Sequence, residues 1–340
     1  MKEYSNQTIF IGIDVHKKSY SISAIHNGTL IKKATIVADP DILLSFLYKN
    51  FNNAQLETAY EAGFSGFYLH RYLVGNGINN IVVHPASIEI ASRERVKNDR
   101  RDSLKIATQL SAGRLKSVYI PNCAREDFRT ISRLRNSFVK DRTKKGVQLK
   151  CVLHRLGKIP YSETTFTSKK WIEKVSKMDF PPDQKFVIEH LTNEWLHLTT
   201  KIKEIEIKLI EQSKIDNSLE KIYLSIPGFG PTISRVLANE LEGMKQFSNE
   251  RQVFSYTGLT PREYSSGEHI RLGHISRQGK PVLRKMLIQA AWIAIKIDKE
   301  LEEIYLRISR KAGKKRAIVA VARILIGRTR TCLKENRPYR

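Results

Sequence analysis

Apolar and polar positions alternate with a strand's period over the first stretch of the chain. Thr8–Val15 is a compact apolar run, and Ser19–His26 sets Tyr20, Ile22 and Ala24 on one face. Asn27-Gly28 is a hairpin turn signal, and Thr29–Val37 follows as a third strand. The period then lengthens. Asp39-Pro40 opens an amphipathic helix carrying Ile42, Leu43, Phe46 and Leu47. Residues 56–60 read as a fourth strand, 67–74 as a helix, and 81–83 as a short fifth strand ending at His84-Pro85.

Three strands, a helix, a strand, a helix and a strand is the order of an RNase H-like fold, a mixed sheet whose first three strands form an antiparallel meander. Beyond it the pattern is helical. Residues 126–156 and 183–209 carry long helical periodicity, with Trp195, Leu198, Ile202, Ile205 and Leu209 at three- and four-residue spacing. A polar connection near 160–170 makes these an antiparallel helical pair or a coiled coil. After Asn217 the composition changes, and helical runs return at 232–242, 281–297 and 317–333. The expected architecture is α/β plus α. An α/β domain spans 1–120, a helical coiled-coil assembly domain 121–217, and a mostly helical C-terminal domain 218–340.

Charge narrows the function. The 340 residues hold 59 Lys and Arg against 34 Asp and Glu, a formal net charge of +25. A polyanion is the partner that such a balance favours, although a merely solvated basic surface shares it. Residues 266–340 alone hold 19 Lys and Arg against 6 Asp and Glu. A second basic stretch contains Arg125, Arg129, Arg133, Arg135, Arg142, Lys144 and Lys145. Two basic regions suit a protein that grips nucleic acid with more than one domain. The three cysteines, Cys123, Cys151 and Cys332, form no C-x-x-C pair. That argues against a zinc ribbon and suits a reducing cytosol. No apolar run approaches a membrane span, and no signal-peptide pattern opens the sequence, so a cytoplasmic location and no membrane partner are expected.

Four acids fall where this fold collects metal ligands. Asp14 ends the first strand, Glu61 the fourth, and Asp99 and Asp102 stand at i and i+3 in Asn98-Asp99-Arg100-Arg101-Asp102. In a sheet of this order the first and fourth strands are neighbours, so Asp14 and Glu61 sit side by side. Crowded carboxylates repel one another, and divalent cations remove that penalty while activating a phosphodiester. Each acid alone also reads as a turn former, a cap or a solvated ion-paired position, and Glu57, Glu89 and Glu94 are rivals. Further on, Pro227-Gly228-Phe229-Gly230-Pro231 resembles a helix-hairpin-helix turn. The backbone N–H groups of Gly228 and Gly230 are candidates to hold a phosphate there, and the alternative is an ordinary inter-helix turn. Between Tyr256 and Arg284 lies Ser266-Gly267 in a polar stretch, with Tyr264 and Ser265 as rival hydroxyls. A serine needs activation to act as a nucleophile, and Ser-Gly is also a common turn. Arg262, Arg271, Arg277 and Arg284 supply charge for a phosphate, as transition-state stabilisers or as plain anchors.

Taken together, these residues resemble the insertion-sequence transposases of the IS110/IS1111 family, whose relatives include the Piv-type DNA invertases. The likeness rests on Gly12-Ile13-Asp14-Val15-His16-Lys17, Glu61-Ala62-Gly63 and Asn98-Asp99-Arg100-Arg101-Asp102 at the N-terminal end. At the C-terminal end it rests on Ile226-Pro227-Gly228-Phe229-Gly230, Tyr256-Thr257-Gly258-Leu259-Thr260-Pro261, Ser266-Gly267 and Ile275-Ser276-Arg277-Gln278-Gly279 before Leu283-Arg284. Two features depart from the family pattern: Gly63-Phe64 precedes Ser65-Gly66, and Ser103 follows Asp102 where alanine is usual. The resemblance implies a RuvC-like N-terminal domain with a four-acid centre at Asp14, Glu61, Asp99 and Asp102 holding two Mg²⁺ ions. It implies a nucleophilic Ser266 in the C-terminal transposase domain. It further implies a covalent phosphoserine link to DNA, a homo-oligomer from dimer to tetramer sharing composite sites, a structured guide ("bridge") RNA, and a bacterial or archaeal, nucleoid-associated setting. The residues by themselves leave two other readings open. One is a metal-dependent junction-resolving nuclease without a covalent intermediate, and the other is a non-catalytic nucleic-acid-binding protein.

Overall fold

The structure, a computed structural model, describes residues 4–89, 99–162, 167–215, 217–264 and 271–339, with backbone alone for Asp99, Arg100 and Leu272. The chain separates into two compact units, Met1–Ile120 and Pro121–Arg340.

The first unit is built on strands β1 (Thr8–Val15), β2 (Ser19–His26), β3 (Thr29–Val37), β4 (Gln55–Glu61) and β5 (Asn79–Val83). They form one mixed sheet in the order β3-β2-β1-β4-β5. The first three strands are an antiparallel meander, and β4 and β5 add in parallel beside β1. Asn27 and Gly28 both take positive φ, at 47° and 76°, as a tight primed turn requires. Between β3 and β4 runs α1 (Pro40–Asn50), with Asp39 accepting from the amides of Asp41 and Ile42 as its N-cap. Between β4 and β5 runs α2 (Tyr68–Gly75). One sheet face buries Ile9, Ile11, Ile13, Tyr20 and Ile22 against Leu43 and Leu47 of α1 and Leu69 and Leu73 of α2.

The other face carries small residues, and α3 (Asp99–Ser111) lies on it. Gly12 pairs with Ser23 on β2 and with Ala59 on β4, so these three stand in one row on that face. The helix approaches so closely that a Cβ on Gly12 would lie 2.1 Å from the Ser103 carbonyl oxygen and 2.4 Å from the Ala107 nitrogen. A hydrogen bond of 2.9 Å between Ser23 Oγ and Ser103 Oγ fixes the crossing.

The second unit is mostly helical. Two long helices, α4 (Cys123–Arg155) and α6 (Pro182–Ile215), flank the shorter α5 (Lys169–Ser176). Arg135 pairs with Glu206, and seven residues on Arg142 meets Thr199, seven residues back along α6, so the two run antiparallel. Leu149, Leu153, Trp171, Ile172 and Trp195 close an apolar cluster where α4, α5 and α6 meet. The chain continues as α7 (Asn217–Ser225), α8 (Pro231–Leu241), α9 (Glu250–Thr257), a two-stranded ribbon of β6 (Pro261–Glu263) and β7 (Leu272–Ile275), α10 (Pro281–Ala294), α11 (Lys299–Ala312) and α12 (Lys314–Lys334). Tyr223, Val236, Leu237, Leu287, Val321 and Leu325 centre its larger core. Helices α5, α7, α9 and α11 and the ribbon add to the elements that periodicity predicts. No helix among the described residues is long and apolar enough to cross a membrane.

Candidate active site

The carboxylates come first. Asp14 lies near the end of β1, on the α3 side of the sheet, two residues beyond Gly12. The β1–β4 register runs to Ile13 opposite Tyr60, and one further step sets Glu61 beside Asp14 on the same face. Asp102 is one residue from Ser103, whose carbonyl touches Gly12. Thus Asp14 and Asp102 flank a single crossing point of strand and helix, and Glu61 stands on the neighbouring strand. Asp99 opens α3 one turn before Ser103, and its side chain lies outside the described residues.

The neighbours of these acids are polar. His16 Nε2 lies 3.0 Å from Asp14 Oδ2, and Lys105 Nζ lies 3.5 Å from Asp102 Oδ1. His16 was not among the candidates read from the sequence. Its signal is its position, two residues after Asp14, where an extended chain returns to the same face. The rival acids have structural partners: Glu57 Oε1 accepts from Asn79 Nδ2 at 2.8 Å, Glu89 lies 3.4 Å from Arg114, and Glu94 falls outside the described residues. Beside α3 on this same face, Ser23, Lys33, Thr35 and Ser103 line a shallow cavity of about 200 Å³. Among the described residues, which do not include the Asp99 side chain, no three His, Cys, Asp or Glu side chains group as a metal site. The donor chemistry of Asp14, Glu61 and Asp102, all carboxylate oxygens, fits a hard divalent cation.

The serine segment belongs to the second unit. Ser266 lies outside the described residues, which resume at Arg271. Its flanks are built with care. Strands β6 and β7 pair antiparallel, the Tyr264 amide donates to the Arg271 carbonyl at 2.9 Å, and the Ser276 amide donates to the Thr260 carbonyl at 2.8 Å. Below the ribbon two turns interlock. Gly258 ends α9 with φ 69°, and its missing Cβ would lie 2.2 Å from both the Gln278 carbonyl oxygen and Arg284 Nη1. Gly279, at φ 92°, faces the carbonyls of Tyr256 and Ser255 at 2.5 and 2.6 Å from its own missing Cβ. Only glycine meets both the left-handed backbone and the close approach. Burial, helped by Glu240, pushes the Tyr256 hydroxyl up to about 12, so it stays protonated beneath this turn.

The candidate phosphate contacts divide. Arg262 and Arg271 are exposed on the ribbon, and Arg277 is exposed in the next turn with φ 58°, an uncommon value for arginine. Arg284 is half-buried against Gly258, where its Nη1 has no hydrogen-bond partner among the described residues. Gly230 is exposed at the N-cap of α8, which has no side-chain cap, whereas Gly228 packs against α10, with Ala290 O 2.2 Å from where its Cβ would be.

The basic stretch on α4 serves the fold instead. Arg129, almost fully buried, donates to the carbonyls of Asn239 and Glu240 at 3.0 Å each and to Glu242 at 3.3 Å. Arg125 donates to the Ala238 carbonyl, and Arg133 makes a forked pair with Glu240 at 2.8 and 3.1 Å. Three guanidinium groups therefore hold the carbonyl end of α8, where the helix dipole is negative. Arg135 and Arg142 tie α4 to α6, and Arg142 also lies over the Trp195 ring. Of the seven cations named in that stretch, these five are engaged by partners within the unit, Arg133 from an exposed position.

Comparisons with known proteins bear on both units. A family model described as "Transposase" of the DEDD IS110 type matches residues 11–157, a span that contains Asp14, Glu61, Asp99 and Asp102. A second, described as "Transposase IS116/IS110/IS902 family", matches residues 220–306, which contain Ser266 and the candidate phosphate contacts. The chain is 27% identical over 319 residues to the putative transposase y4rJ of Sinorhizobium fredii, covering 84% of this chain and 80% of that protein. It is 25% identical over 296 residues to the transposase for insertion sequence element IS1328 of Yersinia enterocolitica, covering 83% and 82%. It is 26% identical over 264 residues to the transposase for insertion sequence element IS1111A of Coxiella burnetii, covering 74% and 71%.

Proposed function

Because this chain belongs to the IS110 family of transposases, we propose that it cuts and rejoins DNA strands through a covalent phosphoserine at Ser266, aided by four acids of the first unit. The observation that carries this reading is the crossing of α3 over Gly12. It brings Asp102 to within one residue, and Asp14 to within two, of a single contact, with Glu61 on the adjoining strand.

Asp14, Glu61, Asp99 and Asp102 would hold two Mg²⁺ ions, which when bound supply Lewis-acid polarisation of the phosphodiester oxygens. The protein's own part of the chemistry is an exchange of one diester for another. Ser266 Oγ bonds to phosphorus as the bond to a deoxyribose oxygen breaks, and the serine proton is passed on to that oxygen, which leaves as a hydroxyl. Attack by a new deoxyribose hydroxyl reverses the step, restores the serine and reseals the strand without an external energy source. Arg262, Arg271 and Arg277 place cations about the transferring phosphoryl group. Gly230 offers its backbone N–H to a neighbouring phosphate; Gly228, packed on α10, and Arg284, wedged beneath Gly258, support these positions.

The division of labour follows the sequence: residues 1–120 hold the acids, 121–217 form a coiled-coil assembly arm, and 218–340 carry the serine. The acids of one protomer work with the serine of another in a dimer to tetramer, and a structured RNA from the element's flank guides the exchange. The work is done in the cytoplasm of a bacterium or archaeon, at the nucleoid.

The test is a denaturing gel of the purified protein with labelled element-end DNA, Mg²⁺ and RNA transcribed from the flank. The wild type should form a covalent adduct that Ser266→Ala and Asp14→Asn both abolish, while both variants keep DNA binding. Nicked DNA without adduct, in wild type and Ser266→Ala alike, would replace this reading with a metal-dependent nuclease.

A further inference from the structure

Outside the candidate site, the densest open charge in the described structure is at the turn between α11 and α12. Arg307, Arg310, Lys311, Lys314, Lys315 and Arg316 are all exposed, and five of the six fall within seven consecutive residues. The contrast with the rest of the same helical hairpin is sharp. Arg328 is tied to Glu300 and Asp298, Arg330 donates to the carbonyls of Phe247 and Ser248, and Arg323 lies 4.5 Å over the Phe254 ring. Those cations serve the fold. Among the described residues, none of the six at the turn makes an ion pair or a side-chain hydrogen bond.

Folding alone does not favour this arrangement. Helix α11 obeys the dipole rule, with Asp298 as its cap, Glu300 and Glu302 in its first turn, and Arg310 and Lys311 in its last. Helix α12 opposes it, since Lys314, Lys315 and Arg316 crowd its positive end and no side chain caps it. The turn itself is well defined. Gly313 takes φ 83° between the helices, its amide donates to the Ser309 carbonyl at 3.0 Å, and Ala317, Ile318 and Val321 anchor the start of α12 in the core. A rigid prong bearing mutually repelling cations is stabilised by a polyanion laid across it.

We propose that the α11–α12 turn is a docking surface for the phosphate backbone of duplex DNA, separate from the residues that carry out strand transfer. Residues 310–316 contain no aromatic ring on which an unpaired base could stack. They offer point charges and guanidinium forks, which suit phosphates and read no sequence. The surface also begins where the family match ends, at residue 306. The proposal rests on the reading of the chain as a DNA-transferring enzyme, but it concerns binding and not chemistry.

The experiment is fluorescence anisotropy of a labelled DNA duplex of arbitrary sequence with the full-length protein, in EDTA, across a salt series. The variant is Lys311→Gln/Lys314→Gln/Lys315→Gln/Arg316→Gln, all at exposed positions. Its control, Lys169→Gln/Lys170→Gln/Lys174→Gln/Lys177→Gln, removes the same charge from exposed positions on and beside α5. Each lost phosphate contact lowers the slope of log Kd against log salt by about 0.9, so loss of all four flattens it by about three to four. Duplex affinity at low salt should fall on the order of ten-fold or more for the turn variant, with the control slope within about one unit of wild type. Equal losses in both variants would reduce the effect to net charge and overturn the proposal. So would an unchanged turn variant, or a loss confined to a single-stranded RNA probe. Because no metal is present and no strand is cut, failure of the phosphoserine reading leaves this measurement intact.

Discussion

Replacing Gly12 by alanine adds one methyl group to the middle of β1, and the structure says what that methyl meets. Its carbon would stand 2.1 Å from the Ser103 carbonyl oxygen and 2.4 Å from the Ala107 nitrogen. Both are helix backbone, so no rotamer change relieves the clash. Ordinary contact begins near 3.4 Å, so α3 must retreat from the sheet by about 1 Å. Overpacking of this kind costs about 1–3 kcal/mol. Gly→Ala returns about 0.4–1 kcal/mol through the unfolded chain, leaving a net loss of about 1–2 kcal/mol. At roughly 4–8 °C per kcal/mol for a small unit, that is a fall in Tm on the order of 5–15 °C.

The effect on chemistry should be larger than the effect on stability. The retreating helix carries Asp102 and Asp99 away from the strand that carries Asp14, and a displacement near 1 Å can cost about 100-fold in rate. Differential scanning fluorimetry and the covalent-adduct gel, run on the same preparation at a temperature where both proteins are folded, separate the two. Truncating Ser103 to alanine in the same chain should not rescue Gly12→Ala, because the clash is with the main chain. A Gly12→Ala protein that melts within 1 °C of wild type and forms adduct at the wild-type rate would refute the crossing geometry, and with it the grouping of the acids.

Two further substitutions test the second unit. Arg129→Ala leaves the carbonyls of Asn239 and Glu240 and the Glu242 carboxylate without their shared donor. The expected loss is about 3–5 kcal/mol in urea unfolding, with little rescue by lysine, which cannot reproduce the fork; a loss under about 1 kcal/mol would contradict it. At Asp298, burial pushes the carboxyl up, but the Tyr339 hydroxyl, the Leu301 amide and Arg328 outweigh it and hold the group below its ordinary value of 3.8. A depressed carboxylate stabilises the fold fully above that value and loses its contribution as pH falls through the lowered one. The stability gap between wild type and Asp298→Asn should therefore be constant from neutral pH to about 5 and close below about 4, as followed by thermal melts; a gap that widens on acidification would reverse the assignment.

The sheet was legible because its alternation is clean. The first three strands end where the pattern ends, and the Asn27-Gly28 turn lies between them. Hydropathy shortens the fifth strand to residues 81–83, because Asn79 and Asn80 join it through polarity that hydropathy cannot count. Asn79 Nδ2 donates to Glu57, and Asn80 Nδ2 donates to Thr58 Oγ1 at 2.8 Å. Buried polar side chains also hide the standing of α8, where Ser234, Arg235, Asn239 and Glu240 are buried alongside Val236 and Leu237. Composition gave the sign of the partner but not its place. It cannot separate Arg129, sealed under α8, from Arg310, exposed at the turn. His16 gives no signal by hydropathy, because a histidine after a strand has no pattern of its own until the strand's face is known.

Close glycine contacts are what the two halves of the chemistry have in common. The acids depend on Gly12, which lets a helix rest on a strand. The ends of the serine segment depend on Gly258 and Gly279, whose turns interlock through the main chain at Gln278 and Tyr256. In both places the neighbour is backbone, so neither contact can adapt by moving a side chain, and each fixes the path of the residues that follow. The contacts lie in different compact units, each with its own apolar core. A lesion at Gly12 thus has a physical route to the acids through α3. A lesion at Gly279 acts on the flanks of the serine segment through the Tyr256 and Ser255 carbonyls. On the proposed reading, the acid centre rests on one of these main-chain contacts and the serine segment on the other two.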